Sequence, residues 1–337
     1  MGHEGGTGLG NCGSRASGGV TTISIIVPVR NDARRLASCL EHIGANRTAA
    51  GEVIVVDNGS TDESAAVASR WGAIVLSRPN GKVAEIRNAA ATVATGELLA
   101  FIDADNLIGC SWTEAATDVL QDPSVGAAGA TYVAPSDGTW VQRLYGVLRG
   151  RTVGRHDTRW LASGNLVVRR TVFQQIGGFD PTLEACEDVD LCQRLRKQGW
   201  RLVADERMTS IHLGDPKSLT AVFKGERWRG RDNVRVTLRG PVTLADVISL
   251  ASPILILGAL VALPILLALS LFDKRALVAA GLLCAGIVAL SLVKSARALV
   301  SGSVSGPLDA LRALLVSLVY NLARALALVT RAPHHRR

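Results

Sequence analysis

Aromatic residues make up 4% of the 337-residue chain. So few rings leave no platform on which the bases of a single strand could stack, which argues against nucleic acid as a partner. The net charge of +8 instead points to an anionic membrane surface or phosphorylated ligands. Cysteine is sparse and dispersed, at positions 12, 39, 110, 186, 192 and 284, with no C-x-x-C pair. That excludes a zinc ribbon or a thioredoxin-type centre and fits free thiols in a reducing compartment. The first 20 residues lack the apolar stretch of a secretory signal and are rich in Gly and Ser. A disordered tail is expected over 1–21. Within it, Gly8-Leu9-Gly10-Asn11-Cys12-Gly13 matches G-x-G-x-x-G, but no strand precedes it and no helical pattern follows, so the context for dinucleotide binding is missing. No Ser-His-Asp arrangement is legible either.

What is present divides near Leu244. Before it, short β-branched runs alternate with helical spacing. ISIIVPV (23–29), EVIVVD (52–57), AIVLS (73–77) and LLAFIDAD (98–105) read as strands. Residues 34–43, 63–71 and 83–94 read as the helices between them. This alternation predicts an α/β fold with a mostly parallel, doubly wound sheet. Ligands gather at the carboxyl ends of such strands. Asp57, Asp103 and Asp105 all fall there. Two acids in D-x-D point one way from an extended chain and can hold a divalent cation through oxygen, though the triplet alone also fits a solvated turn or a helix cap.

Several blocks occur in order: Val27-Pro28-Val29-Arg30-Asn31, Val55 through Asp62, Arg87-Asn88, Asp103-Ala104-Asp105, then 163–183 and 187–203. With them, residues 22 to about 235 resemble the family 2 glycosyltransferases, whose fold is GT-A. The resemblance implies a nucleotide-diphospho-sugar transferase. Asp105 would be the direct ligand of Mg2+ or Mn2+, with Asp103 on the ribose or reaching the metal through water, and His212 would complete the site. Pro28, Val29 and Asn31 would line the donor pocket, with Asp57 accepting a hydrogen bond from the base. Arg87 would contact phosphate or base, and Gly164 and Asn165 would face the donor sugar. Glu187-Asp188 matches the family's acidic pair, with Asp188 as general base. KGERWRG (224–230) resembles the Q-x-x-R-W block of processive members, with Arg227 and Trp228 capping the diphosphate or shaping the acceptor cleft. Lys224 stands where Gln would be, which speaks against a polymer-making synthase. The segment from 136 to 160, with Trp140, Tyr145, His156 and Trp160, is expected to border the acceptor. Simpler readings stand beside several of these. Asp57 or Ser60 can cap a helix. Arg87 can be a surface helix charge and His212 a structural residue. Gly164-Asn165 can be a turn, and acids at 187, 188 and 190 complement a helix dipole.

Residues 217–240 hold seven Lys or Arg against two acids, a basic juxtamembrane segment (217–243) that suits anionic headgroups. Residues 247–272 then run 26 positions without a charge, enough for a span, and 276–293 supply a second of 18. A third stretch, 308–329, sets Leu311, Leu314, Leu315, Leu318, Val319, Leu322 and Leu326 against Arg312 and Arg324. It can lie at the interface or span. Basic flanks place the catalytic domain (22–216) on the cytoplasmic side of the plasma membrane. The expected protein is a multi-pass, metal-dependent inverting glycosyltransferase, moving a sugar from a UDP-linked donor to a lipid or lipid-linked acceptor. Two alternatives remain. A nucleotidyltransferase would need a Gly-rich basic loop where this chain has PVRND. A non-catalytic membrane scaffold sits poorly with intact Asp103, Asp105 and Asp188.

Overall fold

The structure, a computed structural model, describes residues 21–46, 50–240, 243–300 and 306–330. The tail expected over 1–21 lies outside them apart from Thr21, and so does the glycine pattern at 8–13. In chain order, the first β-branched run forms β1 (Ile23–Val29), followed by α1 (Ala33–Ala45), β2 (Ala50–Asp57), α2 (Ser64–Arg70), β3 (Ile74–Ser77), α3 (Val83–Val93) and β4 (Leu98–Ile102). One expectation is corrected here. The fourth strand stops at Ile102 rather than running to Asp105. Asp103-Ala104-Asp105 is a turn, closed by the Asn106 N–H on the Asp103 carbonyl at 2.9 Å. The chain continues with β5 (Asn106–Ile108), α4 (Trp112–Val119), β6 (Val125–Gly129), β7 (Tyr132–Val133), α5 (Trp140–Arg149), β8 (Arg155–Asp157), β9 (Asn165–Arg169) and α6 (Arg170–Gln175). Then come α7 (Glu187–Lys197), β10 (Arg201–Asp205), β11 (Ser210–His212), α8 (Leu219–Arg229) and α9 (Asn233–Thr237). Three long helices close it: α10 (Leu244–Leu269), α11 (Lys274–Val300) and α12 (Pro307–Ala327).

The chain forms two units, and the division is not collinear with the sequence. The first comprises residues up to Tyr132 with Thr152–Pro181 and Leu191–Leu213; the second comprises Val133–Arg151, Thr182–Asp190 and Gly214 onward. The first unit is built on an eight-stranded sheet of order β3-β2-β1-β4-β9-β6-β10-β8. β1 pairs in parallel with β2 and β4, β2 with β3, and β6 with β10, whereas β9 runs antiparallel between β4 and β6 and β8 runs antiparallel to β10. Alternate residues of β1 feed two cores. Ile23, Ile25, Val27 and Val29 pack with Leu36, Cys39 and Leu40 of α1; Ile26 packs on the other face with Ala84 and Ile86 of α3. Burial on both faces is why these strands read as continuous apolar runs. No disulfide links the described cysteines.

In the second unit, Val141, Leu144, Tyr145 and Leu148 of α5 form a small core with Val222 of α8 and Ala313 and Val316 of α12. Tyr145, expected beside an acceptor, is instead buried with its hydroxyl donating to Glu226 at 2.5 Å. Glu226, 1% exposed, also accepts from Arg229 at 3.1 Å and from Arg324 of α12 at 2.8 Å. Burial alone would raise this carboxyl, but the two guanidinium groups and the Tyr145 hydroxyl hold it at about 2, against an ordinary 4.5. Its stabilising effect is therefore complete above about pH 4.5 and is lost as the pH falls towards 2. Glu226→Ala is expected to destabilise the chain by about 3–5 kcal/mol, because it strands buried cations, and thermal melts in detergent would register this.

Segments Ser249–Leu269, Lys274–Ala296 and Pro307–Ala327 are each long and apolar enough to cross a membrane, with 18-residue stretches of mean hydropathy 2.5, 2.6 and 1.4. α10 runs through both Pro253 and Pro264. α12, the least apolar, has its charges answered within the unit. Arg312 pairs with Asp309 at 3.2 Å and lies over the Trp140 ring, and Arg324 binds Glu226. A polar seam joins α11 and α12, where Ser295 donates to Ser317 at 2.9 Å and Asn321 to Ser291 at 3.0 Å. Four of the seven cations of the basic segment are also answered: Arg229 pairs with Glu226, Arg231 with Glu184, Arg235 with Asp232 and Arg239 with Asp190.

Candidate active site

The site of the first unit starts from two loops that lock each other. Asn31, held in the left-handed region at φ 50, accepts from the Thr61 N–H at 2.7 Å through its side chain. Its own N–H donates to the Ser60 hydroxyl at 2.9 Å. Asp62 accepts from the Ala33 N–H at 3.0 Å, and the Val29 carbonyl accepts from the Asn58 N–H at 2.9 Å. PVRND and DNGSTD are thus one structure, which places Pro28, Val29, Asn31 and Asp57 together at the carboxyl ends of β1 and β2. Asp57, 8% exposed, accepts from the Ser60 N–H at 3.2 and 3.3 Å. α2 starts only at Ser64 with Glu63 as its N-cap residue, so Asp57 shapes its own turn and does not cap that helix.

The D-x-D turn lies at the end of β4. β11 pairs antiparallel with β5, placing His212 opposite Asn106, the residue after Asp105. Asp103, Asp105 and His212 thereby offer ligand atoms that all lie within 4.8 Å of one another. His212 Nε2 is 3.4 Å from Asp105 Oδ1, and its ring stacks on Tyr132 at 4.9 Å. Ligands of Mg2+ at about 2.1 Å from the ion stand about 3 Å apart at right angles and about 4.2 Å apart when opposed. Two carboxylates and an imidazole this close form a donor set that can hold a divalent cation.

Arg87 is 2% exposed and so is not a surface charge. It donates to Asp103 Oδ1 at 2.5 Å and to the Ser163 hydroxyl at 2.7 Å, orienting the first acid. Gly164 belongs to the same assembly. Its carbonyl accepts from the Asp103 N–H at 3.2 Å and from the Asn106 amide at 2.6 Å. A Cβ at Gly164 would overlap the Asp103 carboxylate and come within 2.9 Å of the Tyr132 hydroxyl. Gly164→Ala should therefore weaken Mn2+ binding roughly 10- to 100-fold, the usual cost of disturbing a ligand's support, as read by Mn2+ titration. Asn165 is fully buried. Its amide donates to the carbonyls of Ala130 at 3.1 Å and Met208 at 2.8 Å and accepts from the Trp112 indole at 2.7 Å. With no exposed surface, Asn165 ties the loops together behind Gly164 and does not face a donor sugar.

Three neighbours were not singled out by the sequence. Arg35 Nη1 is 3.8 Å from Asp105 and its Nε donates to Asp32 at 2.9 Å. The buried Cys39 thiol lies 3.7 Å from the Asp103 carbonyl, and burial, then the Asp105 and Asp103 charges, push it well above its ordinary range, which keeps it uncharged. Tyr132 is the third. Arg35 had a signal, one helical turn from Asp32; Tyr132 had none.

Glu187, Asp188, Arg227 and Trp228 belong to the second unit. Glu187 and Asp188 open α7, with Asp190 also in its first turn, an arrangement that complements the helix dipole. Glu187 is 7% exposed. Asp188 accepts from the Val189 N–H at 2.8 Å. Arg227 and Trp228 lie half-buried in the last turns of α8, with Arg227 over the Phe223 ring.

A mostly parallel sheet flanked by helices, with a D-x-D turn at the end of its fourth strand, is the GT-A architecture. A mannosyltransferase from Pyrobaculum calidifontis, solved with GDP-Man and Mn2+, shares that fold with a TM-score of 0.57 and 21% identity, covering 90% of this chain and 86% of its own. Residues 24–178 match the model of glycosyl transferase family 2, and this part of the chain is a domain of that family. Among curated relatives, a pre-mycofactocin glycosyltransferase from Mycobacterium tuberculosis is 31% identical over 196 residues, covering 53% of this chain and 40% of that protein. An N-acetylglucosaminyl-diphospho-decaprenol L-rhamnosyltransferase from the same organism is 37% identical over 101 residues, covering 25% of this chain and 33% of that one. The chain spans less than half the length of these relatives.

Proposed function

We propose that the chain is a membrane-bound, metal-dependent inverting glycosyltransferase that moves one sugar from a UDP-linked donor to the hydroxyl of a lipid or lipid-linked acceptor. The observation that carries this reading is the meeting of Asp103, Asp105 and His212 at the end of β4. When bound there, Mg2+ or Mn2+ would act as a Lewis acid for the donor diphosphate. Arg87 would hold Asp103 in place. Asp57 would accept from a ring N–H of the base, a group that uracil and guanine both offer. Asp188 would take the proton of the acceptor hydroxyl as that oxygen forms its bond to the anomeric carbon. The bond from that carbon to the diphosphate breaks with its electron pair on the leaving group. Attack from the opposite face inverts the centre in a single displacement. The acceptor class is supported by the three apolar helices and by the name of the decaprenol-linked relative. The basic residues before α10, with Lys294 after the second apolar run, favour a cytoplasmic catalytic domain at the plasma membrane. The test is a screen of UDP- and GDP-linked sugars with the full chain in detergent, with membrane lipid added. Lipid-dependent release of nucleoside diphosphate is expected. Pyrophosphate release, or no release from any donor, would overturn the reading.

A further inference from the structure

Residues 182–190 carry Glu187 and Asp188, and within the second unit they are held by the segment that leads into α10. The Asp232 carboxylate accepts from the backbone N–H of Glu184 at 2.9 Å and of Ala185 at 3.2 Å. Arg231 forms an ion pair with Glu184. Arg239 donates to the buried Asp190 at 2.8 Å, two residues beyond Asp188. The Cys186 thiol lies 3.5 Å from the Arg229 carbonyl.

This stretch has a reason to need external support. Cys186, the residue before Glu187, sits at φ 62, in the left-handed region that side chains other than glycine rarely enter. Such a residue persists only where its surroundings over-determine it. Here the two N–H groups just before it are fixed by one carboxylate, and the first turn after it by one guanidinium. The supporting segment is itself secured, because Arg324 of α12 binds both Glu226, at 2.8 Å, and the Arg229 carbonyl, at 3.3 Å. A continuous series of contacts therefore runs from an apolar helix of membrane-spanning length to the backbone that presents Asp188.

We infer that Asp232 and Arg239 are positioning residues for the Asp188 carboxylate, so that the juxtamembrane segment sets the geometry of proton acceptance; this rests on the proposed role of Asp188 as base. Neither residue touches substrate in this account. They act by keeping Cys186 in its left-handed conformation and the first turn of α7 in place. A general base works only within hydrogen-bond reach of its proton, and a displacement of about 1 Å can cost roughly a hundredfold.

The experiment compares Arg239→Met, Arg239→Lys, Asp232→Ala and Asp188→Asn in the full chain in detergent. It measures kcat, donor KM and binding of UDP with Mn2+. Arg239→Met and Asp232→Ala are expected to lower kcat roughly 10- to 100-fold, with donor KM and UDP affinity within about twofold of wild type. Arg239→Lys, which keeps a donor and a charge, should recover most of the loss. Wild-type kcat in Arg239→Met and Asp232→Ala, alongside an inactive Asp188→Asn, would overturn the positioning role alone. A fall in kcat matched by an equal fall in UDP affinity would also overturn it, as general damage. Full turnover by Asp188→Asn would instead remove the base reading, and this inference with it.

Discussion

Chelation of divalent cations should lower turnover by about a thousandfold, and Mn2+ should restore it. The expectation comes from the charge the reaction creates. Departure of a nucleoside diphosphate leaves negative charge on its bridging oxygen, and a Lewis acid there is worth several kcal/mol. At about 1.4 kcal/mol per factor of ten, that amounts to roughly three orders of magnitude. The chain itself directs Arg87 and Arg35 at Asp103 and Asp105, so these cations are occupied in holding the acids. Asp105→Ala should reproduce the loss, and it should abolish the Mn2+ dependence of UDP binding. Equal UDP affinity for Asp105→Ala with and without Mn2+, beside a wild type that needs the ion, is the expected pattern. A wild type whose UDP binding and turnover ignore Mn2+ would eliminate the metal assignment.

Asp188→Asn should lower kcat by roughly 10²- to 10⁴-fold, the range of general base catalysis. The amide keeps the size and shape of the carboxylate but cannot accept the acceptor's proton. UDP affinity and the Mn2+ requirement should stay near wild type, because Asp103, Asp105 and His212 are untouched. A mutant that turned over normally would leave the acceptor's proton with some other group.

Much of this was legible residue by residue. β1, α3 and the ends of β2 and β3 fall within a residue or two of their periodicity, because strands buried on both faces advertise themselves as unbroken β-branched runs. The D-x-D pair was found for partly the wrong reason. Alternation along a strand would aim both acids one way, yet a turn closed by Asn106 brings them together. His212 could be singled out only by resemblance, since its delivery depends on β11 pairing with β5 across about a hundred residues of chain, a non-local event that periodicity does not register. Tyr145 shows the opposite failure. An aromatic in a polar stretch read as a cleft wall, but it is the buried partner of Glu226, which lies in another helix. α5 itself was missed, although Thr139 and Gln142 form a capping box that marks its start.

Arg229, Arg231, Arg235 and Arg239 each face an acid of their own unit. More than half of the positive charge of 217–240 is then answered before it meets lipid phosphate. Adhesion by counter-charge fades when ions shorten its reach from about 8 Å to about 3 Å, as molar salt does. This chain should stay with the pelleted bilayer through such a wash. It should bind neutral and acidic vesicles about equally, because Leu, Ile and Phe side chains rather than arginines keep it there.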